Sequence, residues 1–384
     1  MSIVWIEFQK NNDFILNKKN NTLNKLLLLL FCFSISQISS QQSHKFFDSL
    51  ANDLISRTTI PSVVFSYITP DTCLYGIAGI NNINDKQKVK LEDKYSLGSN
   101  TKAITALIAM KMIEEGQIKL ETRLIDLMPS LEGGINQYYE DITFGSLLSH
   151  RAWVRSYMYE DDHNTLPKTF PGELTNQRNL FTKHVLNQDS VFSLTYSYSN
   201  AGYVIASHMM EIAAKTSYEK LIATFMNEMN YDHYFGLANR EDENAPSGHM
   251  MEDEVWTEIG PNHEYNGVPE MMNAAGMLSM NILDYASLIQ MQLNGLKNEN
   301  TYISAESMNI HHYGLDEYAY GWLNGEMGGM KYSTHDGTLG INYCHTVILP
   351  QIPCAIVIMF NSGLPEHHKS MAELEQAILM NMIR

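Results

Sequence analysis

The chain is 384 residues long, 44% hydrophobic and 18% charged, with a formal charge of −17. That length and composition suit a soluble globular protein with ample core, in one large domain or two modest ones. So acidic a surface repels phosphate backbones and the chain has no basic run, which argues against nucleic-acid binding.

The first forty residues read as an export signal. Lys18, Lys19 and Lys25 precede the apolar run Leu26 to Ile35, which is of signal-peptide length and too short to span a bilayer comfortably. Cleavage near Ser34–Ser40 would leave a periplasmic or secreted chain. The alternative is an uncleaved anchor, with membrane attachment only through residues 23–40. Cys32 leaves with the signal, so the mature chain keeps Cys73, Cys344 and Cys354, too few for a disulfide framework. Cys344 and Cys354 flank the turn-forming Pro350–Pro353, and whether they pair across a hairpin is left open. No zinc spacing is present.

Phe46, Phe47, Leu50, Leu54 and Ile55 recur at helical spacing and predict a first amphipathic helix over 43–57. Ser62–Ile68 and Cys73–Ile80, separated by Pro70-Asp71, predict a hairpin. A helix buried on every side starts at Ser99, where Ala103 to Ile113 is apolar nearly throughout, and stops at Gly116 as a left-handed cap. Helical patterns dominate from there to about Gly295: Ile142–His150, Asn176–Leu186, Asn200–Ala214, Tyr218–Met229 and Leu283–Leu293. Strand patterns return in Gly321–Leu323, Thr346–Leu349 and Ala355–Phe360, before a closing helix over His368–Met382. Strands at both ends with helices between imply one sheet assembled from the two termini, and a helical subdomain inserted between them. The polar segments 160–171 and 240–269 read as irregular loops walling a cleft.

Three groups of residues carry chemistry. Ser99 and Lys102 form a Ser-x-x-Lys pair at the start of the buried helix. Positions i and i+3 share a face there, so an amine can take the proton of a serine hydroxyl one turn away. Tyr198 and Asn200 stand at the entrance of the next long helix. A nearby cation such as Lys102 would lower the phenol's pKa and fit it for proton transfer, while the amide of Asn200 can face a substrate carbonyl or accept from Lys102. His335-Asp336-Gly337-Thr338 precedes the last strands, and Gly337 would let a substrate approach closely. The amides of Ser99 and Thr338 are candidate oxyanion donors. His311-His312 and His367-His368 lack further ligands at metal spacing and read as solvated pairs. The methionines read as core or cleft filler.

In the order Ser-x-x-Lys, Tyr-x-Asn, His-x-Gly, these groups resemble the serine hydrolases of the class C β-lactamase and penicillin-binding-protein type, with their esterase and D-aminopeptidase relatives. Ile142–His150 looks like that family's leucine-leucine-x-histidine segment. Ala274–Ser279 with Asp284 looks like its Gly-x-x-Ser landmark, and Tyr320-Gly321-Trp322 like the strand before the third motif. The resemblance covers residues 45–384. It implies a mixed α/β (α+β), β-lactamase/transpeptidase-like fold: an antiparallel sheet flanked by helices, within a hydrolase domain over 41–384. The sheet region would be about 41–98 and 296–384, and the helical subdomain about 117–295. By the same resemblance Ser99 is the acylated nucleophile and Lys102 and Tyr198 exchange its proton. Asn200, His335 and Gly337 bind substrate, the Ser99 and Thr338 amides form the oxyanion hole, and no cofactor or metal is required. Two departures touch substrate choice: Arg151-Ala152-Trp153 replaces the usual Thr-Ser-Gly after His150, and Pro171-Gly172 lies well ahead of Tyr198.

The expected function is therefore a serine acyl hydrolase working through a seryl acyl-enzyme on a small-molecule or peptide substrate: an ester, an amide or a β-lactam. His335 stands where β-lactamases carry a lysine. With Asp336 beside it, this favours a neutral substrate, or one with a positive end, over a carboxylate. The alternative is a catalytically silent binding or regulatory protein on the same scaffold. Gly-x-Ser-x-Gly and His-Glu-x-x-His are both absent, which removes the commonest α/β-hydrolase and zinc-protease readings.

Overall fold

The computed structural model describes residues 45–158, 167, 170–191, 196–252, 255–263, 269–363 and 367–382. The proposed leader and most of the 160–171 loop lie outside the described residues. Among those residues no helix is long and apolar enough to cross a membrane.

Helix α1 (residues 45–57) leads into β1 (Ser62–Ile68) and β2 (Cys73–Gly79), the expected hairpin. Strand β1 pairs β2 on one side and the late strand Cys354–Phe360 on the other, so the two ends of the chain build one sheet. Both of these central strands are buried at every position. Val64 and Ile68 face the main helical core, and on the opposite face Phe65 and Tyr67 pack on Phe47 at ring distances of 5.6 and 6.5 Å. A strand covered on both faces reads as a continuous apolar run, as both of these do.

β3 (Lys94–Ser96) runs into a 3₁₀ turn, Gly98–Asn100, and then α2 (Thr101–Glu114). This helix is the buried one the sequence predicts, with Gly116 at φ 73° beyond its end. Next come the short α3 (Phe144–Leu148), α4 (Leu174–Leu186), α5 (Asn200–Ala214) and α6 (Tyr218–Met229). Thr143, Ser199 and Ser217 cap α3, α5 and α6 by accepting a backbone N–H three residues on. β4 (His233–Phe235), the hairpin of β5 (Gly248–Glu252) and β6 (Val255–Ile259), and β7 (Leu278–Asn281) follow. Then come α7 (Ile282–Leu296) and α8 (Ala305–Tyr313). β8 (Leu323–Met327), β9 (Met330–Thr338), β10 (Tyr343–Leu349), β11 (Cys354–Phe360) and α9 (His367–Met382) complete the chain.

The main sheet is antiparallel throughout, in the order β2-β1-β11-β10-β9-β8, with α7 packed on β1 and β11. A second sheet, β3-β7-β4, ties the approach to the Ser99 turn to the chain beyond residue 276. This is a mixed α/β fold with an antiparallel sheet flanked by helices.

Several expectations are corrected. The segment 240–269 is not wholly irregular, since it carries β5 and β6. Gly321 and Trp322 precede β8 and are not part of it. His335 lies mid-strand in β9, a strand the sequence did not announce. His311 and His312 are fully buried, not solvated: Trp322 Nε1 donates to His311 (3.1 Å), and His312 bonds Ser333 and Gln292. His367 is buried too, while His368 is exposed. Cys344 and Cys354 are free thiols that pair with Met359 and Leu349 across β10–β11, so they sit at opposite ends of the ladder.

Candidate active site

The α2 N-terminus is fixed from three directions. Asn100 donates to the carbonyls of Leu97 (3.2 Å) and Cys344 (2.9 Å) and accepts from Tyr285 (3.1 Å), locking the turn to β10. The amides of Leu97 and Leu278 bond across to Leu278 O (2.8 Å) and Thr101 Oγ1 (3.2 Å). Thr105 donates to Ala274 O (3.0 Å), so the 274–278 segment is strapped along the helix start. That segment is held from behind by buried Arg178, which donates to Met271 O (3.0 Å) and pairs with Glu211 and Glu219.

Lys102 is wholly buried in this frame. Its Nζ contacts Ser99 Oγ at 3.1 Å, Asn200 Oδ1 at 2.8 Å and Ala275 O at 2.5 Å. Two of these acceptors use up the two donors of a neutral amine, leaving its lone pair for the Ser99 hydroxyl. Burial supplies the driving force and holds the amine well below its ordinary pKa. Ser99 itself is part-exposed at the cleft.

Tyr198 lies over Lys102, with Nζ 4.8 Å from the ring centroid. The sequence reading had the lysine lowering the phenol's pKa. Burial wins instead and raises it above the ordinary value, and a hydrogen bond with Ser99 offsets this only in part. Tyr198 is thus held in its neutral form, and of the two Lys102 is the stronger candidate base. Asn200 accepts from Lys102, and its Nδ2 donates to Tyr157 O (3.0 Å), so it orients the lysine.

His335 is buried within β9, at the wall of the cleft. Its Nδ1 bonds Asp336 O (2.8 Å); a carbonyl only accepts, so Nδ1 carries the proton and Nε2 accepts from Tyr318 (3.1 Å). Burial, with Lys102 nearby, pulls its pKa down to about 4, and the ring is neutral at pH 7. Asp336 alternates with His335 along β9, stays partly exposed at the cleft, and bonds His345 (2.6 Å), its cross-strand neighbour. Gly337 does not make room for a substrate as expected. A Cβ there would meet Leu97 O at 2.0 Å and Ser99 N at 2.6 Å, so the space is taken by the nucleophile turn.

Ser99, Tyr198, Asn200, His335, Gly337 and Thr338 line one cleft of about 570 Å³, with Lys102 bonded to Ser99 behind it. The structure therefore brings all seven predicted residues together. Sequence reasoning missed Tyr157, Tyr318, Asn100 and the Ala275 carbonyl. Only Asn100 carried a signal, as a polar residue inside the Ser-x-x-Lys motif at a buried helix end. The departure at Arg151 has a structural reason: its guanidinium donates to the carbonyls of Ser149 (3.0 Å), Tyr318 (2.7 Å) and Asp316 (2.7 Å), holding the loop that carries Tyr318. Among the described residues no cluster of His, Cys, Asp or Glu is placed to hold a metal ion.

Comparison with known proteins agrees with this fold. Protein flp of Staphylococcus aureus is 24% identical over 293 residues, covering 74% of this chain and 56% of flp, so the chain spans about half the length of that relative. The octameric penicillin-binding protein homologue from Pyrococcus abyssi superposes with a TM-score of 0.69 at 20% identity, over 87% of this chain and 77% of the homologue. The class C beta lactamase from Rhodobacter sphaeroides gives 0.65 at 15% identity, over 86% and 98%. The sequence profile of the family described as Beta-lactamase matches residues 47–379, and the chain belongs to that family.

Proposed function

We propose that this protein is a serine acyl hydrolase that passes through a seryl ester at Ser99, a mode of action common in its family. The observation that carries the reading is the set of contacts made by Lys102: a buried amine with two fixed acceptors and the Ser99 hydroxyl as its third neighbour. Neutral Lys102 takes the Ser99 proton as Oγ bonds to the substrate carbonyl carbon. The negative oxygen that develops is received by the backbone amides of Ser99 and Thr338. The proton passes through Tyr198 to the leaving group as the carbonyl–leaving-group bond breaks. Water repeats the sequence against the seryl ester, and Ser99 regains its proton.

The substrate we assign is a neutral ester, amide or peptide, or one with a positive end. Among the described cleft-lining residues Asp336 is the sole carboxylate, no lysine or arginine is present, and His335 is neutral. A substrate carboxylate finds no counter-ion in that set. The leader-like residues 1–40 support a site of action outside the cytoplasm.

A fluorophosphonate probe should label the protein at Ser99 and fail on Ser99→Ala, and neutral chromogenic esters should turn over faster than carboxylate-bearing ones. Absence of labelling favours a silent binding protein on this scaffold. Equal or reversed ester preference defeats the electrostatic argument alone.

A further inference from the structure

His150 takes no part in the chemistry above, yet it is built into the site at a conformational cost. It is 2% exposed and sits at φ 58°, a left-handed backbone that is uncommon for a residue with a Cβ, though less so for histidine. Its backbone carbonyl accepts from Ser197 N (2.8 Å), and its Nδ1 accepts from Ser199 N (3.1 Å). The residues on either side of Tyr198 are therefore both held by this one residue. The His150 ring lies against the Tyr198 ring, centroids 4.2 Å apart, and against Tyr318 at 4.5 Å. Because Nδ1 accepts, the proton of the neutral ring is on Nε2, a buried atom with no hydrogen-bond partner among the described residues. Ring and acceptor both meet the Tyr198 segment.

We propose that His150 is a positioning residue that fixes the Tyr198 hydroxyl between Ser99 and the leaving group, by clamping Ser197 and Ser199 and packing against the phenol. The proposal rests on the reading of Tyr198 as the group that protonates the leaving group. The carbonyls that follow extend the same template. Ser199 Oγ donates to Arg155 O (2.6 Å), Asn200 N to Ser156 O (2.7 Å) and Asn200 Nδ2 to Tyr157 O (3.0 Å). His150 adds to these anchors a direct contact with the Tyr198 ring.

The signature is a dependence on leaving group. A p-nitrophenolate departs without help, whereas an alkoxide needs a proton as its bond breaks. In His150→Phe, which keeps a ring and loses the acceptor, kcat on an alkyl ester should fall by about 100-fold, and on the matched p-nitrophenyl ester by less than about 5-fold. His150→Asn keeps an oxygen near the Nδ1 position and suits a left-handed backbone; it should recover alkyl-ester turnover to within about 10-fold of the parent. Should His150→Phe fail to fold, His150→Gly removes ring and acceptor without backbone strain and carries the same comparison. Equal losses on the two esters, or none, overturn the proposal. Tyr198→Phe separates the two readings. If it shows the leaving-group split and the His150 variants do not, the clamp is wrong and the role of Tyr198 stands. If it shows no split, the role of Tyr198 is wrong and the clamp falls with it.

Discussion

Gly98 and Gly337 face each other across the seam between the nucleophile turn and β9. A Cβ on Gly98 would lie 2.5 Å from Thr338 N and 2.6 Å from Gly337 C, and one on Gly337 would lie 2.6 Å from Ser99 N. The two amides that the proposed reaction uses, those of Ser99 and Thr338, thus flank one line of backbone contact. Neither glycine can acquire a methyl group unless the turn and the strand separate. Gly98 is also at φ 50°. We expect Gly337→Ala to cut kcat by about 100-fold or more, the scale on which a single oxyanion donor acts. Gly260→Ala, where a Cβ would meet nothing within 4 Å, serves as a control. Steady-state turnover with a folding check by circular dichroism measures both.

The buried Lys102 sets the pH profile. A base must be unprotonated, so kcat/KM rises with pH through the lysine's pKa and is flat above it. Burial places that pKa well below the ordinary lysine value, and Tyr198 is pushed the other way, above that of a free phenol. The expected outcome is a plateau reached well below the ordinary lysine range and no alkaline loss before about pH 10. A profile still climbing between pH 8 and 10 would show a lysine left in its ordinary range, and the proton route would need another base.

The parts of this fold that could be read from sequence are those whose local chemistry agrees with their final environment. α5 and α6 begin at Ser199 and Ser217, which cap them, and end at Lys215 and Asn230 in left-handed conformation. β1 and β11 are apolar runs because both faces are covered. β9 was hidden for the opposite reason. Its buried positions include Ser333, His335 and Gly337, so polar and small residues stand where an alternating pattern would need apolar ones. Ser333 bonds His312, His335 bonds Tyr318, and Gly337 receives the nucleophile turn; each partner is distant in sequence. The seven site residues were legible because their types and order carry the chemistry. Tyr157 was not, since its carbonyl contributes and its side chain announces nothing.

The buried histidines make the protein acid-sensitive above the carboxylate range. Burial pulls His311 down to about 3 and takes His312 well below its usual value, with His311 adding repulsion. A histidine whose folded pKa is depressed stays neutral in the fold but takes a proton when unfolded. Its stabilising effect is complete above the unfolded value of about 6.5 and is lost as pH falls toward the folded one. Each such group removes about 1.4 kcal/mol per pH unit through that window. Urea unfolding at pH 7.5 and 5.0 should show a loss of several kcal/mol at the lower pH, and the slope should flatten in His311→Asn/His312→Gln. An unchanged slope in the double variant would place the acid sensitivity in other groups.

His345 has the opposite sign. Burial alone would lower its pKa, but Asp336 at 2.6 Å and Glu375 at 3.3 Å outweigh that and raise it to about 9. A raised histidine gives its full stabilisation below the unfolded value of about 6.5, gives part of it between there and the folded value, and gives none above. Replacing it with glutamine, which keeps hydrogen-bonding capacity but no charge, should therefore lower the melting temperature most at pH 6. The difference from the parent should shrink steadily and be gone near pH 10. The same imidazolium holds the Asp336 pKa below the ordinary carboxylate value against partial desolvation, and Glu375 on the far side balances that positive charge. The three groups then carry one net negative charge, and of the three Asp336 is the one that lines the cleft. Loss of His345 should thus change stability in this pH-dependent way while leaving the preference for neutral over carboxylate-bearing esters intact, which thermal melts and paired ester assays on the same variant would establish together.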